Sequence, residues 1–159
     1  MKRLLYFFDL LIYYPIFKFS LIACSIPARL KFIWLLGVLM RFNAKFTLFM
    51  RCGKRKDSIE EVGKEWKRMF PLEIQQLIKT DEDTVYYETH CWCPLRGSGD
   101  VLACYRMMEY DRCMCETLGG QFVVIKSQAE PGNKTCMVAI RKPGKSTDDL
   151  IHAHERYKE

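Results

Sequence analysis

Thirty-five of the first fifty residues are apolar, and those fifty hold eight of the chain's ten phenylalanines. A segment this greasy must either cover a core or meet a membrane. It is also basic: up to Lys56 there are eleven Lys/Arg and a single acid, Asp9, whereas from Asp57 onward there are fourteen Lys/Arg and eighteen acids. The 159 residues suit one domain with an appendage, and 49% hydrophobic content excludes a disordered chain. The composition shift divides the sequence into a basic, aromatic helical segment (1–56), a cysteine-rich domain (57–142) and a polar tail (143–159), which is expected to be loose.

Residues 4–26 are long enough to cross a bilayer, but Asp9 and Lys18 would cost roughly 2.5–3.5 kcal/mol each near its centre, and Pro15 would kink the helix. A second apolar run, Phe32 to Met50, is interrupted by Arg41, Asn43 and Lys45. Positive charge sits at every punctuation point: Lys2/Arg3, Arg29/Lys31, and Arg51 with Lys54, Arg55 and Lys56. A spanning hairpin should leave one end poor in Lys/Arg. The pattern suits helices lying in the interface, aromatics in the acyl boundary and basic groups toward anionic headgroups. The expected location is the cytoplasmic face of a membrane, with anionic lipid or a membrane protein as partner. The start resembles a signal peptide, and Leu21-Ile22-Ala23-Cys24 a lipobox, but the charges and proline within the apolar region argue against cleavage. In a reducing compartment the eight cysteines are expected as thiols or metal ligands. No nucleic-acid module is present in the basic half.

Ser58-Ile59-Glu60-Glu61 is a capping box that should open a helix running to about Phe70, stopped by Pro71, with Val62 and Trp66 on one face. Leu72–Thr80 and Thr84–Trp92 flank an acidic turn and read as a hairpin; Gln121–Ser127 and Thr135–Lys142 read as a second. Between them, Asp100 caps a long helix that ends at Leu118, where Gly119-Gly120 supplies a left-handed stop. The Gly97-Ser98-Gly99 run lets the chain turn into that helix and is too short for a phosphate loop. The order helix, hairpin, helix, hairpin predicts an α+β fold with a four-stranded, mainly antiparallel sheet, helices on one face and an N-terminal apolar helical segment.

The helix from Asp100 to Leu118 carries the chemistry. At 100° per residue, Val101, Cys104, Met107, Met108, Asp111, Cys115 and Leu118 share a stripe, with Arg106, Glu109, Cys113 and Glu116 opposite. Cys113 is therefore expected to be solvent-exposed or peripheral. A carboxylate at the centre of an apolar stripe must be paired, protonated or ligating. Cys91 and Cys93, two apart on a strand, and Cys136, alternating with Val138 and Ile140, are expected to converge on Asp111 with Cys104 and Cys115. Three readings follow: a metal centre, zinc or iron, on Cys91, Cys93, Cys104, Cys115 and Cys136; a catalytic thiol activated by Asp111, Arg112 or His90; or cysteines packed as small hydrophobes. The spacings match no standard zinc or ferredoxin motif. His90 is expected at the surface or a pocket rim, and His152 and His154 in a solvated tail.

Cys93-Pro94-Leu95, then Cys104 with Glu109-Tyr110-Asp111-Arg112, Leu118-Gly119, and Glu130-Pro131-Gly132 with Cys136-Met137-Val138-Ala139-Ile140 form a pattern similar to the L-2-amino-thiazoline-4-carboxylic acid hydrolase-like family. The layout also resembles the four-vinyl-reductase small-molecule-binding domains and, more weakly, the iron-dependent β-carotene isomerases. The resemblance covers residues 58–142 and bears on Cys93, Cys104, Asp111, Gly132 and Cys136. It implies a hydrolase-like protein with Asp111 as general acid or base and Cys93 and Cys104 as catalytic thiols, or these with Cys136 as metal ligands. The expected function is a membrane-peripheral, hydrolase-like protein binding a small apolar molecule. A non-catalytic binding or adaptor module and a metal-dependent isomerase or reductase of a carotenoid or tetrapyrrole are the alternatives.

Overall fold

A computed structural model of the chain describes residues 9–70 and 74–157. The basic pair Lys2/Arg3, the start of the first apolar run and the stop expected at Pro71 lie outside the described residues. A π-helical turn, Asp9–Tyr13, leads into α1, Tyr14–Arg29. Then come α2, Ile33–Met50; α3, Ile59–Arg68; β1, Gln75–Thr80; and β2, Thr84–Thr89. Helices α4, Val101–Met107, and α5, Glu109–Leu118, precede β3, Gln121–Lys126, and β4, Cys136–Arg141. A single 3-10 turn, Ala153–Tyr157, follows.

The fold is α+β, with one four-stranded antiparallel sheet of order β1-β2-β4-β3. Both hairpins form, and β2 pairing with β4 welds them together. The local signals act as read. The Ser58 hydroxyl accepts from the Glu61 N–H at 3.2 Å, and the Asp100 carboxylate from the Ala103 N–H at 2.8 Å. Gly119, at φ 105°, ends α5. The long helix is not continuous, however: it breaks for one residue at Met108 (φ −69°, ψ 1°).

Helices α1 and α2 belong to the same core as the domain behind them. Leu36, Met40, Ala44 and Leu48 form an i, i+4 ladder on α2, and this ladder joins Trp66, Met114, Val138 and Ile140 in one continuous cluster. Polar contacts clamp the same seam. Arg41 pairs with Glu109 at 2.6 Å, the Tyr110 hydroxyl donates to Thr47 at 3.0 Å, and Arg106 donates to the Ala28 carbonyl at 3.1 Å. A boundary at residue 56 therefore does not divide the core. The same packing corrects Cys113: it is buried because α2 covers the far face of α5.

The segment after residue 142 is not a loose tail. Val123 and Ala139 point to the sheet face away from the helices and need cover, which Leu150 provides. Arg141 holds Asp149 in a two-pronged ion pair, and Arg156 holds Glu130 at 2.8 Å. His154 stacks on Tyr105 with ring centroids 3.7 Å apart. Leu150→Ala is expected to cost about 2 kcal/mol by opening this second cluster. Urea unfolding of the variant measures the loss, and an unchanged midpoint would contradict the clasp.

Candidate functional site

Between the helices and the sheet lies a cavity of about 260 Å³. Its walls come from distant parts of the chain. α1 contributes Phe17 and Leu21, α2 Met40 and Thr47, α3 Trp66, and β1 Gln75. α4 contributes Cys104, α5 Asp111 and Tyr110, and the sheet Phe122, Cys136 and Val138. Most of this lining is apolar. Ile16, Phe46 and Trp92 line the cavity and are also exposed, at 60%, 54% and 41%. They place its mouth at the open end of the α1–α2 hairpin, beside the loop that follows β2.

Asp111 lies in the first turn of α5 and is buried, 7% exposed. Its side-chain hydrogen bond comes from Trp66, whose Nε1–H donates to Oδ1 at 3.1 Å. Burial pushes the carboxyl from its ordinary 3.8 up to about 7; the Trp66 hydrogen bond and the Arg112 charge oppose the rise without cancelling it. Arg112 itself is turned outward, to Glu109 at 3.0 Å and over the Tyr105 ring at 4.2 Å. Asp111 is thus a carboxyl that sits between its two protonation states near neutral pH.

Five cysteines reach the cavity: Cys24 from α1, and Cys91, Cys93, Cys104 and Cys136 from later in the chain. Cys91 and Cys93 do so from the loop beyond Thr89 rather than from strand β2. Arg96 fixes that loop by donating to the Cys91 carbonyl at 3.0 Å, and Arg29 by donating to the Pro94 carbonyl at 2.8 Å. The Gln128 N–H donates to Cys136 Sγ at 3.3 Å, and the Ser127 hydroxyl to Cys104 Sγ at 3.0 Å. Burial pushes the Cys91 thiol up to about 12 and Cys136 to about 11, and raises Cys93 and Cys104 as well. These four are neutral thiols near pH 7, poor nucleophiles by that measure.

Cys115 is fully buried but does not line the cavity, which reaches only the first turn of α5; a turn further on, Cys115 packs in solid core. Among the described residues no three His, Cys, Asp or Glu side chains gather closely enough to hold a metal ion. The zinc or iron set expected on Cys91, Cys93, Cys104, Cys115 and Cys136 is therefore not assembled, because the sulfurs come from a loop, a helix and a strand that meet around a hollow rather than at a point. His90 lies at the surface beside Glu88, 3.1 Å away. Native-state alkylation with iodoacetamide at pH 7.5 is expected to modify the exposed Cys52 first and to spare Cys104, Cys115 and Cys136. Rapid labelling of Cys104 would show that its thiol is activated after all.

Two residues of the site were not among the candidates that the sequence pattern singled out. Gln75 opens an otherwise exposed strand, yet it is 2% exposed, lines the cavity, and has no hydrogen-bond partner for either Oε1 or Nε2 among the described residues. Tyr110, adjacent to Asp111, brings its ring to the cavity wall.

Fold and site together define an α+β, cysteine-rich protein built around an apolar pocket that contains one buried acid. No protein family, curated protein or solved structure matches the chain.

Proposed function

We propose that this is a membrane-peripheral protein that holds a small, apolar molecule in the cavity beside Asp111 and the cysteines. The observation that carries the reading is the position of the mouth. Ile16 and Phe46 belong both to the cavity wall and to a broad exposed apolar face that includes Phe19, Ile22 and Ile26 on α1 and Trp34, Val38, Phe42 and Phe49 on α2. A molecule dissolved in the acyl region would reach the cavity without crossing water. Exposed apolar area on this scale marks an interaction surface. Lys31, in the turn between the two helices, and Lys45 on α2 are exposed and suit anionic headgroups. The inner faces of α1 and α2 are committed to the protein core, which favours helices lying on the bilayer over a hairpin spanning it.

Flotation tests the reading. The full-length protein is expected to rise with vesicles of phosphatidylcholine and phosphatidylserine, to bind pure phosphatidylcholine less, and to lose binding in the double variant Trp34→Glu, Phe42→Glu. Recovery of the wild-type protein in the vesicle-free fraction would defeat it.

The proton equilibrium of Asp111 favours a second, hydrolase-like reading, in which that carboxyl takes or gives a proton to the bound molecule. General acid–base catalysis works best with a group whose pKa lies near the working pH, as that of Asp111 does. The neutral thiols would then shape the pocket rather than attack.

A further inference from the structure

The cavity has a distinctive charge inventory. Asp111 is its one acid, and no Lys, Arg or His lines it among the described residues. Cations around the cavity are engaged elsewhere: Arg112 pairs with Glu109, Arg96 donates to the Gln128 side chain and the Cys91 carbonyl, and Lys18 sits 5.5 Å from the Trp92 ring centroid at the mouth. Around Asp111 stand aromatic rings. Trp66 donates to the carboxyl and contacts Phe70 and Phe122, with ring centroids at 5.1 and 5.7 Å, and Phe70 meets Tyr110 at 6.1 Å. All four rings line the cavity. Gln75 adds a buried carboxamide with both polar atoms unpartnered. Such a group is costly to leave unmet, so an occupant able to hydrogen-bond there gains what the protein alone forgoes.

One buried acid, no base, several π faces and an unmet carbonyl form a complement for a cation that also donates hydrogen bonds. An anionic headgroup meets the opposite: a like charge and no donor of positive sign. We propose that the occupant is a lipophilic amine, bound as its ammonium to Asp111 among the Trp66, Phe70, Tyr110 and Phe122 rings, with Gln75 Oε1 accepting a second N–H. The inference rests on the reading of the cavity as a small-molecule site and gives that molecule a chemical class. At roughly 30 Å³ per water-sized group, the volume admits about nine such groups, the size of an eight-carbon primary amine.

The test compares octylamine, 1-octanol and octanoate on the full-length protein in a neutral maltoside detergent. Binding is followed by Trp66 fluorescence in a Trp34→Phe, Trp92→Phe background. At pH 8 octylamine is expected to bind at least tenfold more tightly than octanol, with octanoate weakest. Asp111→Asn should remove the amine's advantage and leave octanol unchanged. Gln75→Leu should weaken the amine several-fold while raising Tm, so that loss of binding is separated from loss of fold. The amine's affinity should climb from pH 6 to pH 8 and octanol's should not. Of the groups facing Asp111, Trp66 does not titrate, Arg112 is paired with Glu109, and Tyr110 with the thiols Cys91, Cys104, Cys115 and Cys136 stay neutral over that range. Equal binding of amine and alcohol, or an amine preference that survives Asp111→Asn, overturns the amine inference while the cavity reading stands. Failure of all three probes overturns both.

Discussion

Asp111→Asn is expected to make the protein more stable at pH 8 by roughly 4 kcal/mol and to leave it nearly unchanged at pH 4. The sign follows from where the proton sits. Below about pH 4 the carboxyl is protonated in both the folded and unfolded chains, and its pKa difference contributes nothing. Between 3.8 and about 7 the unfolded chain gives up the proton while the folded chain keeps it, so rising pH favours unfolding. Above about 7 the folded protein carries a charge in an apolar setting, and the whole penalty is present. Asparagine has no proton to lose, and its side-chain oxygen can still accept from Trp66 Nε1. Glu65 and Glu130 are held below the usual carboxylate range by Arg68 and Arg156 and work in the other direction, losing stability as pH falls. Their contribution is common to both proteins and cancels in the difference. Urea unfolding at pH 4, 6 and 8 measures it; parallel stability–pH curves for the two proteins would mean that Asp111 is not buried as an isolated acid. A protein that tolerates such a penalty at neutral pH keeps the acid for a use other than stability.

The second large effect is at Trp66, 2% exposed and in contact with Phe70, Tyr87 and Phe122. Trp66→Ala is expected to destabilise by about 3–5 kcal/mol, since the hollow it leaves opens into one already present and cannot collapse. The substitution also removes the hydrogen bond to Asp111, which lowers that carboxyl's pKa, so the midpoint of its titration should move further up. Unfolding by urea reads the first effect and the carboxyl ¹³C shift of Asp111 against pH reads the second. A loss below 1 kcal/mol would place Trp66 outside the core that the cavity depends on. Since the indole both fills space and steadies the acid, the two readouts are expected to move together.

Local chemistry was legible in the chain itself. Ser58 and Asp100 cap their helices, Gly119 ends α5 in the left-handed conformation, and two alternating runs on either side of each turn become hairpins, because those interactions span a few residues and need no distant partner. The position of Asp111 in a buried stripe was equally plain, since helical periodicity depends only on spacing. Assembly decided the rest. Cys113 is on the polar side of its helix by periodicity and is buried nonetheless, because α2, more than sixty residues earlier, lies across it. Gln75 looks like an ordinary surface residue until the fold covers it and leaves it without a partner. The cysteines were readable as inward-facing, but whether inward meant a metal centre or the wall of a hollow depended on how a loop, a helix and a strand came together. Spacing along a chain determines direction within one element; only packing between elements determines whether side chains that face inward meet one another or face an empty space.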